Sequence, residues 1–251
     1  MHHYVIAGDW HAKYLDQRSF EALLKYGESL PKENRALIIN GDFLEADFLM
    51  LKHPDFRANL KAKNFEEYFI PLAEEEFQIG NAILDKLQKT FDHIFYLFGN
   101  HCQPRYDNVL KECPAAYQHN FCVKTQLRLE ERNINYYQYN DWLDIGNLSI
   151  IHGMFHGSTC LKKHFESCEF RNVIFSHIHH AESKAFSSRG ATRKAWSLPA
   201  MCNLAPDYLK NRDSNWTNGF GSIHMHSDGD FNLYIHELIN GKLCLPNGEL
   251  V

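Results

Sequence analysis

Carboxylate, amide and imidazole side chains recur in this sequence directly after short apolar runs. Five runs end this way, and their polar residues are Asp9 and His11, Asp42, Asn100 and His101, His152, and His177 and His179. Mixed nitrogen and oxygen donors suit Mn²⁺, Fe²⁺, Zn²⁺ or Ni²⁺, whereas Ca²⁺ and Mg²⁺ prefer oxygen alone. There are more donors than one ion needs. Two ions about 3.5–4 Å apart would use all of them, and such a pair is the usual clamp for phosphoester hydrolysis.

The elements that position these side chains are predicted to be short buried strands alternating with helices. The chain opens with the strand-like run "HYVIAGD", continues with apolar residues at helical spacing in "FEALLKYGESL", and returns to a strand in "ALIINGD". In α/β proteins, ligands bind at the carboxyl ends of the strands. If the five strands lie side by side in one sheet, their polar ends meet at one edge. The pattern predicts an α/β fold with the donors gathered there.

Composition is typical of a folded globular protein and argues against disorder. The 251 residues are 44% hydrophobic and 23% charged, and no internal repeat or Gly/Ser/Pro-rich linker interrupts them, so we expect a single domain over 1–251. The net charge of -5 disfavours an overall basic surface for nucleic acid. A helical insertion is expected at about 43–90, and its longest helix has Pro71 near the start.

Cysteine use and hydropathy indicate a reducing, aqueous compartment. The seven cysteines include no CxxC pair, which fits reduced thiols better than a disulfide framework. No run approaches the roughly 20 apolar residues of a membrane span, so a cytoplasmic location with no membrane partner is expected. Cys102 lies beside the GNH sequence, and we expect it to be a buried structural thiol.

The polar strand ends together resemble the motifs of one known family. In chain order they are Asp9-Trp10-His11, Gly41-Asp42, Gly99-Asn100-His101, His152-Gly153 and His177-Ile178-His179. They are similar to the five ordered motifs of the calcineurin-like metallophosphoesterase superfamily, in its bacterial or bacteriophage type. Five motifs in order are far more specific than any one of them. The resemblance implies a four-layer α/β/β/α sandwich, in which two mixed sheets are flanked by helices.

The resemblance also implies roles for these residues. Two divalent transition-metal ions are expected, Mn²⁺ first, with Fe, Zn or Ni as alternatives. Asp42 would bridge them, a hydroxide activated by the metals would attack phosphorus, and His101 would donate a proton to the leaving oxygen. The other implied ligands are Asp9, His11 and His179 for the first ion, and Asn100, His152 and His177 for the second.

The sequence departs from the family pattern at two positions next to the motifs. Family members often carry a carboxylate where this chain has Cys102, and a glycine where it has Ser176. Neither change removes an implied ligand.

Three further residues are candidates for orienting His101 or holding substrate. An imidazole's second nitrogen needs an acceptor to fix its tautomer, and Glu45 is the first candidate for this role, with Asp47 the second. Arg105 follows the GNH turn, and its guanidinium matches the geometry of phosphate oxygens.

The function that follows is metal-dependent phosphoester hydrolysis, with a phosphodiesterase acting on a nucleotide or nucleic-acid substrate favoured. The tail is similar to bacterial and bacteriophage members that act on such substrates, and the chain lacks the "GDYVDRG"-like extension of the family's protein phosphatases. A phosphomonoesterase acting on nucleotides or sugar phosphates is the alternative, and a non-catalytic scaffold is the second. His156 and His180 are expected at the surface or behind the ligands. In the tail we expect Trp216, Phe220 and Tyr208 to pack the final sheet rather than cover the metal site.

Overall fold

Strands and helices alternate along the chain. The computed structural model describes residues 2–32, 35–188, 191–205, 214–244 and 248–250. The strands there are β1 (His2–Ala7), β2 (Ala36–Asn40), β3 (His93–Leu97), β4 (Asn135–Tyr137), β5 (Leu143–Ile145), β6 (Leu148–Ile150), β7 (Asn172–Phe175), β8 (Glu182–Ser188), β9 (Ala191–Ser197), β10 (Gly219–Met225) and β11 (Phe231–Glu237). The α-helices are α1 (Gln17–Ser29), α2 (Pro54–Ala62), α3 (Ile70–Thr90), α4 (Gln103–Glu112), α5 (Val123–Gln126) and α6 (Cys160–Ser167).

The strands form two mixed sheets. The first has the order β11-β10-β1-β2-β3-β4, in which β1 to β4 are parallel and β10 runs antiparallel to β1. The second has the order β5-β6-β7-β9-β8, with β6, β7 and β9 parallel to one another. Parallel strands point their carboxyl ends the same way, so each sheet collects several strand ends at one edge.

Side-chain alternation along the strands divides the core into three apolar layers. In β1, Val5 and Ala7 pack toward helices α1 and α3, while Ile6 packs toward the second sheet. On the other sheet, Ile174 faces the first sheet and Phe175 packs against α6. The four-layer α/β/β/α arrangement is thereby confirmed.

The segment between β2 and β3 is largely helical. It contains a 3₁₀ turn at Asp47–Leu49, helix α2, a π-helical turn at Phe65–Phe69 and helix α3. Phe56, Phe65 and Phe69 are buried within it. Pro71 lies in the first turn of α3. No helix among the described residues is both long and apolar enough to cross a membrane.

The strand patterns left two details of the sheets open. The five motif-bearing strands do not share one sheet: β1, β2 and β3 lie in the first, and β6 and β7 lie in the second. The β8–β9 hairpin was not anticipated, because its residues are polar and mostly exposed and so lack a buried-strand pattern. A hairpin joins β5 and β6, with Gly146 at φ 54° in its turn.

Candidate metal centre

The polar ends of strands from both sheets meet at one end of the sandwich. Ligand atoms of Asp42, His152 and His177 all lie within 4.8 Å of one another. On the other side of Asp42, the Nε2 atoms of His11 and His179 are 3.3 Å apart, and His179 Nε2 is 3.4 Å from Asp9 Oδ1. Asn100 joins the cluster through its Oδ1, 3.0 Å from His152 Nε2. The structure therefore brings together every residue that the sequence proposed as a ligand.

The backbone at these positions takes the left-handed conformation that non-glycine residues rarely adopt. The φ angles lie between 43° and 72° at Asp9, His11, Asp42, His177 and His179. Each such residue costs on the order of 1–3 kcal/mol and persists only where the surrounding structure enforces it. This backbone conformation turns the chain sharply at the end of each strand and directs the polar side chains toward a common point.

Two glycines allow the strand ends to approach one another closely. A Cβ on Gly99 would lie 2.1 Å from Asp42 Oδ1, and a Cβ on Gly41 would lie 2.2 Å from the Nδ1 atom of His152. Gly41 also has φ 82°. Any side chain at either position would push a donor out of the cluster.

The two aspartates are each held by one carboxylate oxygen. Asp9 Oδ2 accepts a hydrogen bond from the His177 N–H, and Asp42 Oδ1 accepts one from the His101 N–H, both at 2.8 Å. The other oxygen of each carboxylate faces the imidazoles. Asp9 Oδ1 is buried without a hydrogen-bond partner among the described residues. Its ion-pair contact is with His179 Nε2, at 3.4 Å.

Two of the imidazoles have their Nδ1 atoms close to acceptors outside the cluster. His11 Nδ1 is 2.5 Å from Glu45 Oε2, and His152 Nδ1 is 3.0 Å from the Asn40 carbonyl oxygen. A proton on Nδ1 leaves Nε2 with a lone pair, and a metal-binding histidine is normally held by such a partner.

The donor set fits divalent cations. His152 Nε2 lies 3.0 Å from Asn100 Oδ1 and 3.2 Å from Asp42 Oδ2, so three acceptors face one another when this imidazole is neutral. Acceptors at that spacing repel unless a proton or a cation lies among them. The mixture of imidazole, carboxylate and amide ligands suits a transition metal.

The pKa shifts show strong coupling among these groups. Burial acts to raise the pKa of Asp42, but the His152 and His101 imidazoles outweigh it and hold that pKa well below its usual value. Burial acts to lower the pKa of His152, yet Asp42 and Asp9 raise it to about 9. Burial, together with the charge of His152, lowers the pKa of His177 to about 4. Without metal, protons bound at His152 offset the carboxylate charge.

His101 lies at the edge of the cluster, between Glu45 and Arg105. Its Nδ1 is 3.3 Å from Glu45 Oε2 and 3.2 Å from the Glu45 carbonyl oxygen. Arg105 Nη2 is 2.9 Å from His101 Nε2, and Arg105 Nη1 donates to the Glu45 carbonyl at 2.7 Å. Asp47 instead accepts hydrogen bonds from Lys13 and Tyr14. Of the two proposed acceptors, Glu45 is thus the one beside His101.

Glu76 of α3 holds the loop that carries Glu45, and the sequence did not single it out. Its Oε1 accepts hydrogen bonds from the Glu45 and Ala46 N–H groups at 2.5 and 2.7 Å. Burial raises the pKa of Glu76 to about 7 against the lowering effect of these two bonds. The sequence did contain a signal for Glu76, because this residue falls at helical spacing on the buried face of α3 that Ala73 and Gly80 also occupy.

Asn40 and Cys202 were also missed. Asn40 Nδ2 donates to the Ile151 carbonyl and to Ser176 Oγ, which ties β2 to the second sheet next to His152. A buried polar residue at the end of the apolar run "ALIIN" was its signal. The ligand atoms of Cys202, His11 and His179 lie within 4.8 Å of one another, but burial raises the pKa of this thiol and disfavours the thiolate that a metal requires. No sequence pattern indicated that Cys202 lies beside the site.

Cys102 is buried and structural, as expected. It is fully buried, its Sγ accepts a hydrogen bond from the Leu44 N–H at 3.3 Å, and burial raises its pKa to about 12. Ser176, which replaces the family's glycine, lies against Gly8, where a Cβ would be 2.0 Å from Ser176 Oγ.

The tail prediction was correct for Phe220 and wrong for Trp216. Phe220 is buried in the core of the first sheet. Trp216 instead packs against His179, with ring centroids 4.1 Å apart. Tyr208 lies outside the described residues. His156 and His180 border a groove beside His177.

Comparison with known proteins defines the class. Residues 2–198 match the calcineurin-like phosphoesterase family model, so the chain belongs to this family. No curated protein matches the sequence. Among solved structures, a single mutant of Vps29 from Entamoeba histolytica aligns over 96% of this chain and 95% of its own, with TM-score 0.51 and 11% identity. Vps29 from Chaetomium thermophilum aligns over 100% and 95%, with TM-score 0.51 and 8% identity. At these identities the likeness concerns the fold alone.

Proposed function

We propose that the protein is a dinuclear metal-dependent phosphodiesterase acting on a nucleotide or nucleic-acid substrate. Membership of the calcineurin-like phosphoesterase family supports phosphoester hydrolysis in general. Mn²⁺ is our first choice of metal from the family resemblance, with Fe, Zn or Ni as alternatives, since mixed nitrogen and oxygen donors suit all four. In the proposed set, Asp42 would be shared by the two ions. The remaining ligands would be Asp9, His11 and His179 for one ion, and Asn100, His152 and His177 for the other.

The observation that carries the proposal is the placement of the imidazole nitrogens. Glu45 and the Asn40 carbonyl lie against the Nδ1 atoms of His11 and His152, so His152 Nε2 faces the Asp42 carboxylate and His11 Nε2 faces His179 Nε2. A protein that used this fold only as a scaffold would gain nothing from strained backbone and facing acceptors at this edge. The arrangement favours a working metal centre.

The protein side chains have distinct tasks in the proposed reaction. Cations bound here would supply the positive charge that lowers the pKa of water and offsets the phosphoryl charge. Arg105 now donates to His101 Nε2, and its guanidinium is free to transfer to the oxygens of an entering phosphoryl group. Once Arg105 has moved, His101 Nε2 is open to take up a proton from solvent, and Glu45 stabilises the resulting imidazolium through Nδ1. This proton then passes from Nε2 to the leaving oxygen.

The experiment that tests this function compares a generic aryl phosphodiester with the matching monoester. Both are assayed with Mn²⁺, with chelator, and with the His101→Ala variant. His93→Ala is the matched control, because His93 is an exposed residue at the opposite end of β3, away from His101.

Diester cleavage that is abolished by chelator and lost in His101→Ala, but retained in His93→Ala, supports the proposal. Preference for the monoester would replace it with a phosphomonoesterase acting on nucleotides or sugar phosphates. Metal-loaded protein that cleaves neither compound, nor any member of a nucleotide panel, would favour the scaffold.

The state of the cysteine thiols indicates the cellular compartment. No disulfide links Cys102, Cys113, Cys122, Cys160, Cys168 or Cys202, which supports a reducing compartment, and we propose the cytoplasm.

A further inference from the structure

We propose that a groove beside His177 holds the nucleoside that stays attached to phosphorus when the diester is cleaved. This inference rests on the proposed function and specifies its substrate. The groove, called the Trp216 groove below, has a volume of about 460 Å³. Its lining includes His156, Ser158, His177, Ile178, His180 and Trp216.

The Trp216 groove adjoins the donor cluster directly. His177, a proposed metal ligand, forms part of its wall. The ring centroids of Trp216 and His179 are 4.1 Å apart. Those of His156 and His177 are 6.2 Å apart. A group seated in the groove therefore lies next to any phosphoryl group held by the cluster.

The groove and the proposed proton donor lie on different sides of the cluster. His101 packs against His11, at a centroid distance of 4.7 Å, and contacts Glu45 and Arg105. The groove is bounded instead by the loops after β6 and β7 and by Trp216. Because His101 is proposed to protonate the leaving oxygen, the leaving group belongs on the His101 side. The groove is then left for the substituent that remains on phosphorus.

The chemistry of the lining suits a nucleoside. Trp216 is half-buried and offers an aromatic face, with Ile178 as a second apolar element. Ser158, Asn215 and the imidazoles supply hydrogen-bonding groups around it. A flat heteroaromatic base stacks on such a face, and a ribose bonds to such a rim. The volume lies in the range of nucleotide-sized pockets.

The first test uses two diesters with the same 4-nitrophenolate leaving group. One retains thymidine through its 5′ oxygen, and the other retains methyl. The structure predicts that Trp216→Ala lowers kcat/KM for the thymidine ester about tenfold more than for the methyl ester, since one base stack is lost. Trp216→Phe, which keeps a ring in place, should restore much of the difference.

An equal loss for both esters would overturn the inference, because it would show that Trp216 serves only to position His179. A second set of esters keeps the retained group fixed and varies the size of the leaving phenol. If the loss of kcat/KM in Trp216→Ala depends on the size of that phenol, the inference is also overturned.

The second test measures binding without turnover. Thymidine 5′-phosphate is titrated into the Mn²⁺-loaded protein, and tryptophan fluorescence is followed. Quenching is expected in the native protein and in the Trp142→Phe control, and it should be lost in Trp216→Phe. Quenching in a protein that cleaves neither ester would refute the hydrolytic function but support nucleoside binding in the groove. Cleavage of both esters with no quenching and no selectivity would refute the groove alone, and failure of both would refute both.

Discussion

Glu76 makes the stability of the metal-free protein depend on pH in a direction opposite to that of most carboxylates. This side chain is 5% exposed and belongs to α3. Burial raises its pKa from 4.5 to about 7. Between these two pH values the folded protein keeps a proton that the unfolded chain has released. Unfolding therefore releases a proton, and stability falls as pH rises through this window.

The size of the effect follows from the shift. A rise in pKa from 4.5 to about 7 corresponds to about 3 kcal/mol of stability, at 1.36 kcal/mol per unit. Glu76→Gln keeps an oxygen that accepts from the Glu45 and Ala46 N–H groups and places an amide toward the Tyr106 hydroxyl. The variant cannot ionise. It should match the native protein near pH 5 and exceed its free energy of unfolding by about 3 kcal/mol at pH 8.

The assay is urea unfolding at several pH values from 5 to 8, with chelator present throughout. Comparison with the glutamine variant cancels the titration of the other groups. Glu74→Gln is the matched control, because Glu74 is an exposed neighbour on the same helix and its variant should follow the native curve. Parallel curves for native protein and Glu76→Gln would refute the reasoning, since they would mean that Glu76 titrates alike in the folded and unfolded states.

Three further predictions test the site and its support. His101→Ala should lower kcat for an aryl diester by about 10²–10⁴-fold, the usual contribution of a general acid, while Mn²⁺ stoichiometry measured by equilibrium dialysis stays unchanged. Asn40→Ala should lower the free energy of unfolding by about 1–3 kcal/mol in urea, because the Ile151 carbonyl and Ser176 hydroxyl lose their donor; an unchanged midpoint would contradict this. Gly99→Ala should lose Mn²⁺ binding in dialysis, because its Cβ would lie 2.1 Å from Asp42 Oδ1, and full metal loading of this variant would show that Asp42 tolerates the added methyl group.

The sequence determined which residues are chemically active and which local elements carry them. Apolar runs followed by Asp, Asn and His marked the strand ends, and Pro71 marked the start of the long helix, now α3 at Ile70–Thr90. These features are local, since periodicity and turn chemistry are set by residues a few positions apart. The family resemblance supplied the sandwich, which strand patterns alone do not distinguish from a single sheet.

The tertiary structure decided which of these elements are neighbours. Periodicity shows that a strand is buried, but it does not show against which layer, so the division of the motif strands between two sheets was not predictable from it. The roles of Glu76 and Trp216 arise from contacts between distant segments, with the Glu45 loop and with His179. Such contacts depend on how the layers pack. The sequence shows only that Glu76 lies on an apolar helix face and that Trp216 lies in a polar tail.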